Sequence, residues 1–344
     1  MAVQHPGRHP ARHPGAQDRI VEAQGSMRKI TGAWLLGQPW FYATAGAVVV
    51  WVVILTYSGG AGGGAVVSAA LNYSVFFALV GLGQMIVMVS GAGNIDLSVP
   101  ANITLAAYLS TGQMEGANAG LLLGIAAGLG SGFAIGAANA FLIIVFRIPP
   151  MVATLACGLV LESLTFVYSR ISVAKPAPLL AEFTTGQFMG LPYLTAAAVI
   201  ASLALIHVLR RSIFGRSLLA CGQNTTAAWL SGVDVLRTRF SAYILCGMLT
   251  ALAGVLFAGF VGGPSLNMGS EFLLSSIAVV VIGGTNVAGG QASVVGTWSA
   301  SLFLFLLLSM LNVFQVEPGL RNIITGILII AVLALNKTSR MQQM

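Results

Sequence analysis

The carboxylates that lie among apolar residues are the side chains in this sequence most able to do chemistry. Only nine of the 344 residues are acidic. One of them, Asp96, stands in the stretch Gly91 to Pro100 (GAGNIDLSVP), between two long apolar runs. A carboxylate at the centre of a lipid-facing helix costs about 2.5–3.5 kcal/mol on insertion scales. Asp96 therefore either lies outside the hydrocarbon or has a function within it.

Three roles for Asp96 are open. In the first, Asp96 and Ser98 lie at the N-terminal end of a helix, where they satisfy free N–H groups and Pro100 fits the first turn. In the others, Asp96 lines or gates a solute path, or it couples transport to protons. The structural role is favoured because Gly91 and Gly93 interrupt the preceding helix. The connectivity places this stretch at or near the inner membrane face.

A second glycine-rich stretch, Gly283 to Gly290 (GGTNVAGG), raises the question of a phosphate cradle. That motif needs a Lys directly after a Gly, and no Lys in the sequence has this position. The glycines instead predict a tight turn beside residues 91–100, at the same membrane face. Together with nearby polar positions they form a predicted set of path or gate residues: Gln84, Asn94, Asp96, Ser98, Asn102, Gly283, Gly284 and Thr285.

Glu162 is the one carboxylate well inside a predicted span. An ion-coupled secondary transporter or channel needs such groups as relays. The other reading is a carboxylate facing a polar seam near Ser163 and Thr165. Asn72 and Thr104 carry the same ambiguity, since a polar side chain in a span either faces a path or bonds a neighbouring helix.

No catalytic, metal or cofactor site is predicted. Three of the four histidines lie in H-P repeats of the N-terminal tail, where a solvated tail is favoured over a metal site. Cys157, Cys221 and Cys246 lack C-x-x-C spacing and are read as packing residues. The absence of a His/Asp/Glu cluster or a G-x-S-x-G motif argues against a membrane enzyme.

The composition indicates an all-α, polytopic membrane protein. The chain is 57% hydrophobic and 7% charged, with a mean hydropathy of +0.90, whereas soluble domains have about 25% charged residues. Continuous rather than alternating apolar runs argue against a barrel. About ten spans are predicted: 40–58, 71–90, 97–111, 119–146, 151–169, 191–209, 240–262, 272–287, 295–313 and 321–336.

Residues 1–29 are predicted to be a disordered cytosolic tail, and residues 30–338 a transmembrane domain. With the N-terminus inside, every Lys and Arg falls on the cytoplasmic side except Arg170, Lys175 and Arg321. The positive-inside rule therefore predicts cytoplasmic termini, and it explains the net charge of +7 better than nucleic-acid binding does. Glycines at every fourth position of 119–146 predict a helix-packing seam.

The long inner connection, 210–239, contains its own short helix. Asn224 is a suitable N-cap, Thr225 to Ser231 would form two turns, and Gly232 suits a left-handed C′ position. The helix would present Trp229 and small residues to the cytosol. It either docks another protein or lies among lipid headgroups, and the residues alone do not separate these readings.

Four ordered motifs resemble the permeases of ribose/monosaccharide-type ABC importers, over about residues 40–336. They are the stretch around Asn94-Ile95-Asp96-Leu97-Ser98-Val99, the stretch from Asn139 to Ile148-Pro149-Pro150 and Thr154, the 214–233 loop, and Ala278 to Gly296. Four residues depart from the pattern. Thr225 and Thr226 replace an acidic residue, and Pro100 and Ala292 replace glycines. These departures bear on which sugar is transported more than on the class of transporter.

The resemblance implies a permease subunit that moves a monosaccharide or related polar solute across the bacterial inner membrane. It implies a cytosolic ATPase, a periplasmic solute-binding protein and a second permease copy or paralogue as partners. The 225–233 segment would be the coupling helix that docks the ATPase. The residues assigned to coupling are Phe214, Gly215, Arg216, Asn224, Ala227, Ala228, Ser231 and Gly232.

Overall fold

The computed structural model describes residues 38–60, 63–172, 174–317, 319–321 and 323–327. Its helices belong to one compact unit that begins at Pro39. The predicted tail at 1–29 lies outside the described residues, as do ten of the sixteen residues of the predicted tenth span. Residues 319–321 and 323–327 are helical.

Within the described residues, seven helices are long and apolar enough to cross a membrane, which confirms a polytopic helical membrane protein. These helices are α1 (Pro39–Tyr57), α2 (Gly63–Val89), α4 (Leu121–Ile144), α5 (Pro150–Ser169), α7 (Tyr193–Arg211), α10 (Val235–Val261) and α12 (Val294–Val313). The remaining elements are α3 (Val99–Met114), a 3-10 turn (Asn118–Gly120), α6 (Pro178–Thr185), β1 (Gln187–Phe188), β2 (Leu191–Pro192), α8 (Ile213–Gln223), α9 (Thr225–Leu230) and α11 (Phe272–Ile282). β1 and β2 form a small antiparallel hairpin, with Phe188 opposite Leu191.

The predicted third and eighth spans are helices too short to cross a bilayer. α3 has 16 residues and α11 has 11, or about 24 and 17 Å at 1.5 Å per residue, against about 30 Å of hydrocarbon. The two helices begin side by side. The Gly269 amide donates to Thr104 Oγ1 at 3.2 Å, and a Cβ on Gly269 would overlap the Pro100 carbonyl. From this junction α3 runs to a turn where the Lys175 amide donates to the Thr111 carbonyl. In contrast, α11 runs to the turn whose Gly290 amide donates to the Val89 carbonyl at the end of α2.

The glycine stripe of α4 forms the predicted packing seam. A Cβ on Gly132 would overlap the Gly247 carbonyl of α10, and one on Gly136 would overlap the Tyr243 carbonyl. A Cβ on Gly124 would likewise overlap the Ser110 carbonyl of α3. In lipid the hydrophobic effect does not drive helices together, so close packing of the backbones stabilises these helix contacts instead.

An aromatic cluster fixes the start of α11 against the centre of the bundle. Phe272 packs on Phe77 of α2 and Phe257 of α10, with ring centroids 5.2 and 5.6 Å apart. Tyr73 and Phe76 extend the cluster along α2. Such tilted and edge-to-face pairs add about 0.5–1.5 kcal/mol each beyond the area they bury.

Candidate functional site

Asp96 is the centre of a buried polar network between α2 and α3. Its carboxylate is buried, and Asp96 Oδ1 accepts from the Ser98 amide at 2.9 Å and from the Ser98 hydroxyl at 2.6 Å. Asn139 of α4 donates to Ser98 Oγ at 2.8 Å and to Asp96 Oδ1 at 3.4 Å. Ser98 is the N-cap residue of α3, but its side chain caps no helix amide. The carboxylate thus organises the turn that precedes the helix.

Three other residues of the predicted path set make contacts in or beside this network. With its amide oriented so that both bonds form, Gln84 donates to the Asp96 carbonyl and accepts from the Asp96 amide, each at 3.2 Å. Asn102 donates to the Gly247 carbonyl at 2.9 Å and to the Thr250 hydroxyl at 2.6 Å. These contacts join α2, α3 and α10. Asn94 donates to Ser90 Oγ at 2.8 Å, nearer the end of α2.

Residues 95–98 lie deeper in the bundle than the connectivity predicted. Thr154 of α5 accepts from the Leu97 amide at 2.9 Å. The Ser98 Cα lies 3.4 Å from where a Gly158 Cβ would be, and Gly158 is eight residues, or about 12 Å, after the start of α5. The stretch can enter the bundle because side chains from three helices satisfy its polar groups in place of water.

Sequence reasoning left three members of this network outside the predicted set. Asn139 and Thr154 were noted only as parts of longer motifs, and Thr250 was not singled out. Each is a small polar residue within an otherwise apolar helix. One sequence alone does not distinguish such a residue from one that bonds its own helix backbone.

The Gly283–Gly290 stretch forms a turn beside the exit of α2, as the connectivity predicted. The Gly290 amide donates to the Val89 carbonyl at 3.0 Å. Thr285 accepts from the Ser293 amide at 3.3 Å. Gly284 has a φ of +82°, which favours glycine. A Cβ on Gly283 would lie 2.6 Å from the Gly296 carbonyl carbon, so the ends of α11 and α12 touch.

The short helix predicted in the 210–239 connection is present as α9. Asn224 Oδ1 accepts from the Ala227 amide at 3.0 Å, which makes it the N-cap. Gly232 has a φ of +84°, and the Val233 amide donates to the Ala228 carbonyl at 3.0 Å. This glycine-based C-terminal pattern satisfies carbonyls that the helix leaves free.

The outer face of α9 is apolar and unpartnered within the described chain. Trp229 is 66% exposed and Leu230 is 72% exposed. Beside them lies an open groove of about 710 Å³. Its lining residues come from α9 and the start of α10: Thr225, Thr226, Trp229, Gly232, Val233, Asp234, Val235 and Leu236.

Two of the assigned coupling residues are buried rather than exposed to the cytosol. Ala228 was expected on the cytosolic surface of the helix, but it is only 5% exposed and packs with Cys221 and Val235. Gly215 is buried, and a Cβ there would overlap Leu209. Burial raises the pKa of the Cys221 thiol, as expected of a packing residue rather than a nucleophile. Among the assigned residues, Arg216, Asn224, Ala227, Ser231 and Gly232 are exposed.

Arg239 connects α9 to the exit of α2, a contact that sequence reasoning missed. Its guanidinium donates to the Thr225 hydroxyl at 3.1 Å and to the Ser90 carbonyl at 3.4 Å. The sequence identified Arg239 only as one of the basic residues on the inner side.

Comparison with known proteins identifies the family. A family model described as the permease component of branched-chain amino acid transport systems matches residues 66–333. The chain is 34% identical to a ribose import permease protein of Bacillus subtilis, over 75% of this chain and 80% of the relative. It is 30% identical to the ribose import permease protein of Escherichia coli K12, over 72% of each chain.

A third relative has a different named solute. The chain is 32% identical to an autoinducer 2 import system permease protein of Klebsiella pneumoniae, over 76% of each chain. No solved structure matches this chain. Since the family model covers most of the chain and the relatives align along most of their own length, this protein belongs to the family of permease components of transport systems.

Proposed function

We propose that this permease moves a monosaccharide or a related polyol as the membrane subunit of an ATP-driven importer. The observation that carries the proposal is similarity to ribose permeases along about three quarters of the chain. The relatives also include import permeases for galactose and methyl galactoside and for autoinducer 2. The solutes named for these relatives are all small and hydroxylated, whereas the family description names branched-chain amino acids. The hydroxylated class is therefore favoured.

We infer that α9 is the coupling helix and that its exposed face receives a separate ATPase subunit. Trp229 and Leu230 supply a compact apolar surface, and the groove beside them offers a concave wall. Aromatic anchors next to a pocket are typical of residues that dominate binding energy. The caps at Asn224 and Gly232 hold this short helix in shape before a partner arrives, which lowers the ordering cost of binding.

The proposed orientation places α9 in the cytoplasm of a bacterial inner membrane. Arg147, Arg211, Arg216 and Arg239 lie in or beside the connections at the end of the bundle that carries α9. Arg170 lies at the opposite end, after α5. This asymmetry agrees with the positive-inside rule. The partners proposed are the ATPase, a periplasmic solute-binding protein and a second permease copy or paralogue.

The test is to purify the tagged chain from native membranes in mild detergent and to identify what accompanies it. We expect an ATPase to co-purify, and ATP-dependent uptake of D-ribose or D-galactose after reconstitution with the binding protein. Trp229→Ala and Leu230→Ala should each reduce the recovered ATPase by about tenfold or more, the usual effect of losing an interface anchor.

Leu122→Ala is the matched control, because Leu122 is an 80% exposed leucine on α4, near the end away from α9. Equal ATPase recovery from all three variants would show that α9 is a headgroup helix and not a docking helix. A chain that purifies alone and moves solute without ATP would overturn the importer proposal in favour of an ion-coupled transporter or channel.

A further inference from the structure

A cavity of about 270 Å³ lies beside the junction where α3 and α11 begin. Three elements line it: the first turns of α3, the second half of α5, and the 262–271 loop that leads into α11. The lining residues are Pro100, Ala101, Thr104, Glu162, Thr165, Phe166, Leu266, Asn267 and Ser270. The volume lies just below the range of about 300–1,000 Å³ found for small-molecule pockets, which suits a small solute.

Glu162 gives this cavity its chemical character. It is twelve residues, or about 18 Å, from the start of α5 and seven residues before its end, so it lies well inside the span. Its side chain is exposed and has no hydrogen-bond or ion-pair partner among the described residues. Most neighbouring exposed residues of α5, such as Leu159 and Leu164, are apolar, and the exposed Ser163 uses its hydroxyl proton on the Leu159 carbonyl. A carboxylate at this depth needs water or a polar ligand beside it rather than lipid.

The other polar groups of the cavity mainly offer acceptors. Thr104 Oγ1 donates to the Pro100 carbonyl at 2.9 Å, and Thr165 Oγ1 donates to the Leu161 carbonyl at 2.7 Å. Both hydroxyl protons are therefore used. Thr165 Oγ1 remains an acceptor, and Thr104 Oγ1, which already accepts from the Gly269 amide, has one lone pair left. The Asn267 side chain has no partner among the described residues and can both donate and accept.

Phe166 and Leu266 add apolar surface to the same cavity. A ligand that fits must donate several hydrogen bonds, present an apolar face and be small. We propose that this cavity is a solute site for a monosaccharide or similar polyol, with the Glu162 carboxylate accepting from ligand hydroxyls and Asn267 completing the polar wall. The inference rests on the proposed function and names the part of the chain that contacts the solute.

The test measures ATP-driven uptake of D-ribose and of D-galactose into liposomes that contain the full chain, its co-purified ATPase and the binding protein. Glu162→Gln replaces one acceptor oxygen by a donor and removes the charge, and Asn267→Leu removes both polar atoms. Each should therefore raise the half-saturating sugar concentration by about tenfold. Basal ATP hydrolysis should stay within about twofold of the wild-type value, since neither residue lies near α9. Ser163→Ala is the control, because Ser163 is exposed on α5 but bonds only the Leu159 carbonyl.

A second measurement does not depend on transport rate. Asn267→Cys should react with a water-soluble, membrane-impermeant thiol reagent above the wild-type background, and D-ribose or D-galactose should slow that reaction at least about threefold. Ser163→Cys should show no sugar protection.

Wild-type uptake kinetics in both Glu162→Gln and Asn267→Leu, with no protection of the new cysteine, would overturn the site and leave the proposed function standing. If the wild-type assembly takes up neither sugar, the proposed function is overturned and the site proposal with it.

Discussion

The Arg239 guanidinium donates a hydrogen bond to the Thr225 hydroxyl, which joins α10 to the first residue of α9 at a distance of 3.1 Å. The same guanidinium bonds the Ser90 carbonyl at the exit of α2. A few residues later the chain enters the Asp96 network, and then the half-helix α3, whose first turns line the proposed solute site. These contacts link the exposed helix to the chain segment that leads into the buried junction, which is a candidate route for coupling.

We expect Arg239→Gln to reduce ATP-driven sugar uptake about tenfold while the assembly keeps its ATP hydrolysis. Hydrogen bonds with one charged partner are worth about 1.5–3 kcal/mol each, and the variant removes that charge. Movement of α9 would therefore be transmitted to residues 90–98 less effectively. Uptake and hydrolysis are measured on the same proteoliposomes. Arg237→Gln is the matched control, because the Arg237 side chain is 90% exposed and pairs only with Asp234, a type of contact worth about 0–1 kcal/mol. Equal uptake by the two variants would argue against this connection.

Substitutions of Asp96 separate its three possible roles. Asp96→Ala leaves the buried Ser98 amide and hydroxyl without their acceptor, so we expect a loss of about 2–3 kcal/mol in unfolding free energy. Asp96→Asn keeps one oxygen acceptor and should lose less than half as much. Thermal unfolding of the detergent-purified chain measures both. If Asp96 organises the turn, Asp96→Asn retains ATP-driven uptake. Normal stability with abolished uptake would instead indicate a path or proton-coupling role.

The α4 seam predicts opposite effects for two nearby glycines. Gly132→Ala should destabilise the chain by about 1–3 kcal/mol, because the new Cβ overlaps the Gly247 carbonyl and forces two backbones apart. Gly130→Ala should be neutral or stabilising by about 0.5–1 kcal/mol, since no atom beyond the local helix backbone lies within 4 Å of its Cβ position and alanine favours the helix. Thermal unfolding of the two variants side by side provides the comparison. Similar unfolding temperatures for the two variants would contradict the proposed packing seam.

The N-cap of α9 predicts how strongly the helix recruits its partner. Asn224→Ala removes the acceptor for the Ala227 amide and should destabilise this short helix by about 1 kcal/mol. We therefore expect roughly fivefold less ATPase to co-purify. Asn224→Asp keeps an acceptor and should recover near wild-type amounts. If both variants lose the ATPase equally, the Asn224 amide contacts the partner directly and does not act as a cap.

The sequence by itself determined the membrane class, the family and the short helix α9. These follow from local or compositional signals: continuous apolar runs, ordered motifs, an Asn at the N-cap and a Gly at the left-handed position. The glycine stripe of α4 was also readable, because a period of four places small residues on one helical face. Such signals depend only on neighbours in the chain, so no tertiary information was needed to interpret them.

The tertiary structure decided which residues meet. It showed that α3 and α11 are half-helices that start together, that Asn139 and Thr154 satisfy the 95–98 stretch, and that Ala228 faces inward while Trp229 faces out. It also brought Glu162 and Asn267, more than a hundred residues apart in the chain, to the lining of one cavity. Hydropathy measures whether a segment prefers lipid, not which polar groups from distant segments satisfy one another. A broken helix inside a bundle is therefore indistinguishable from a span until its partners are known.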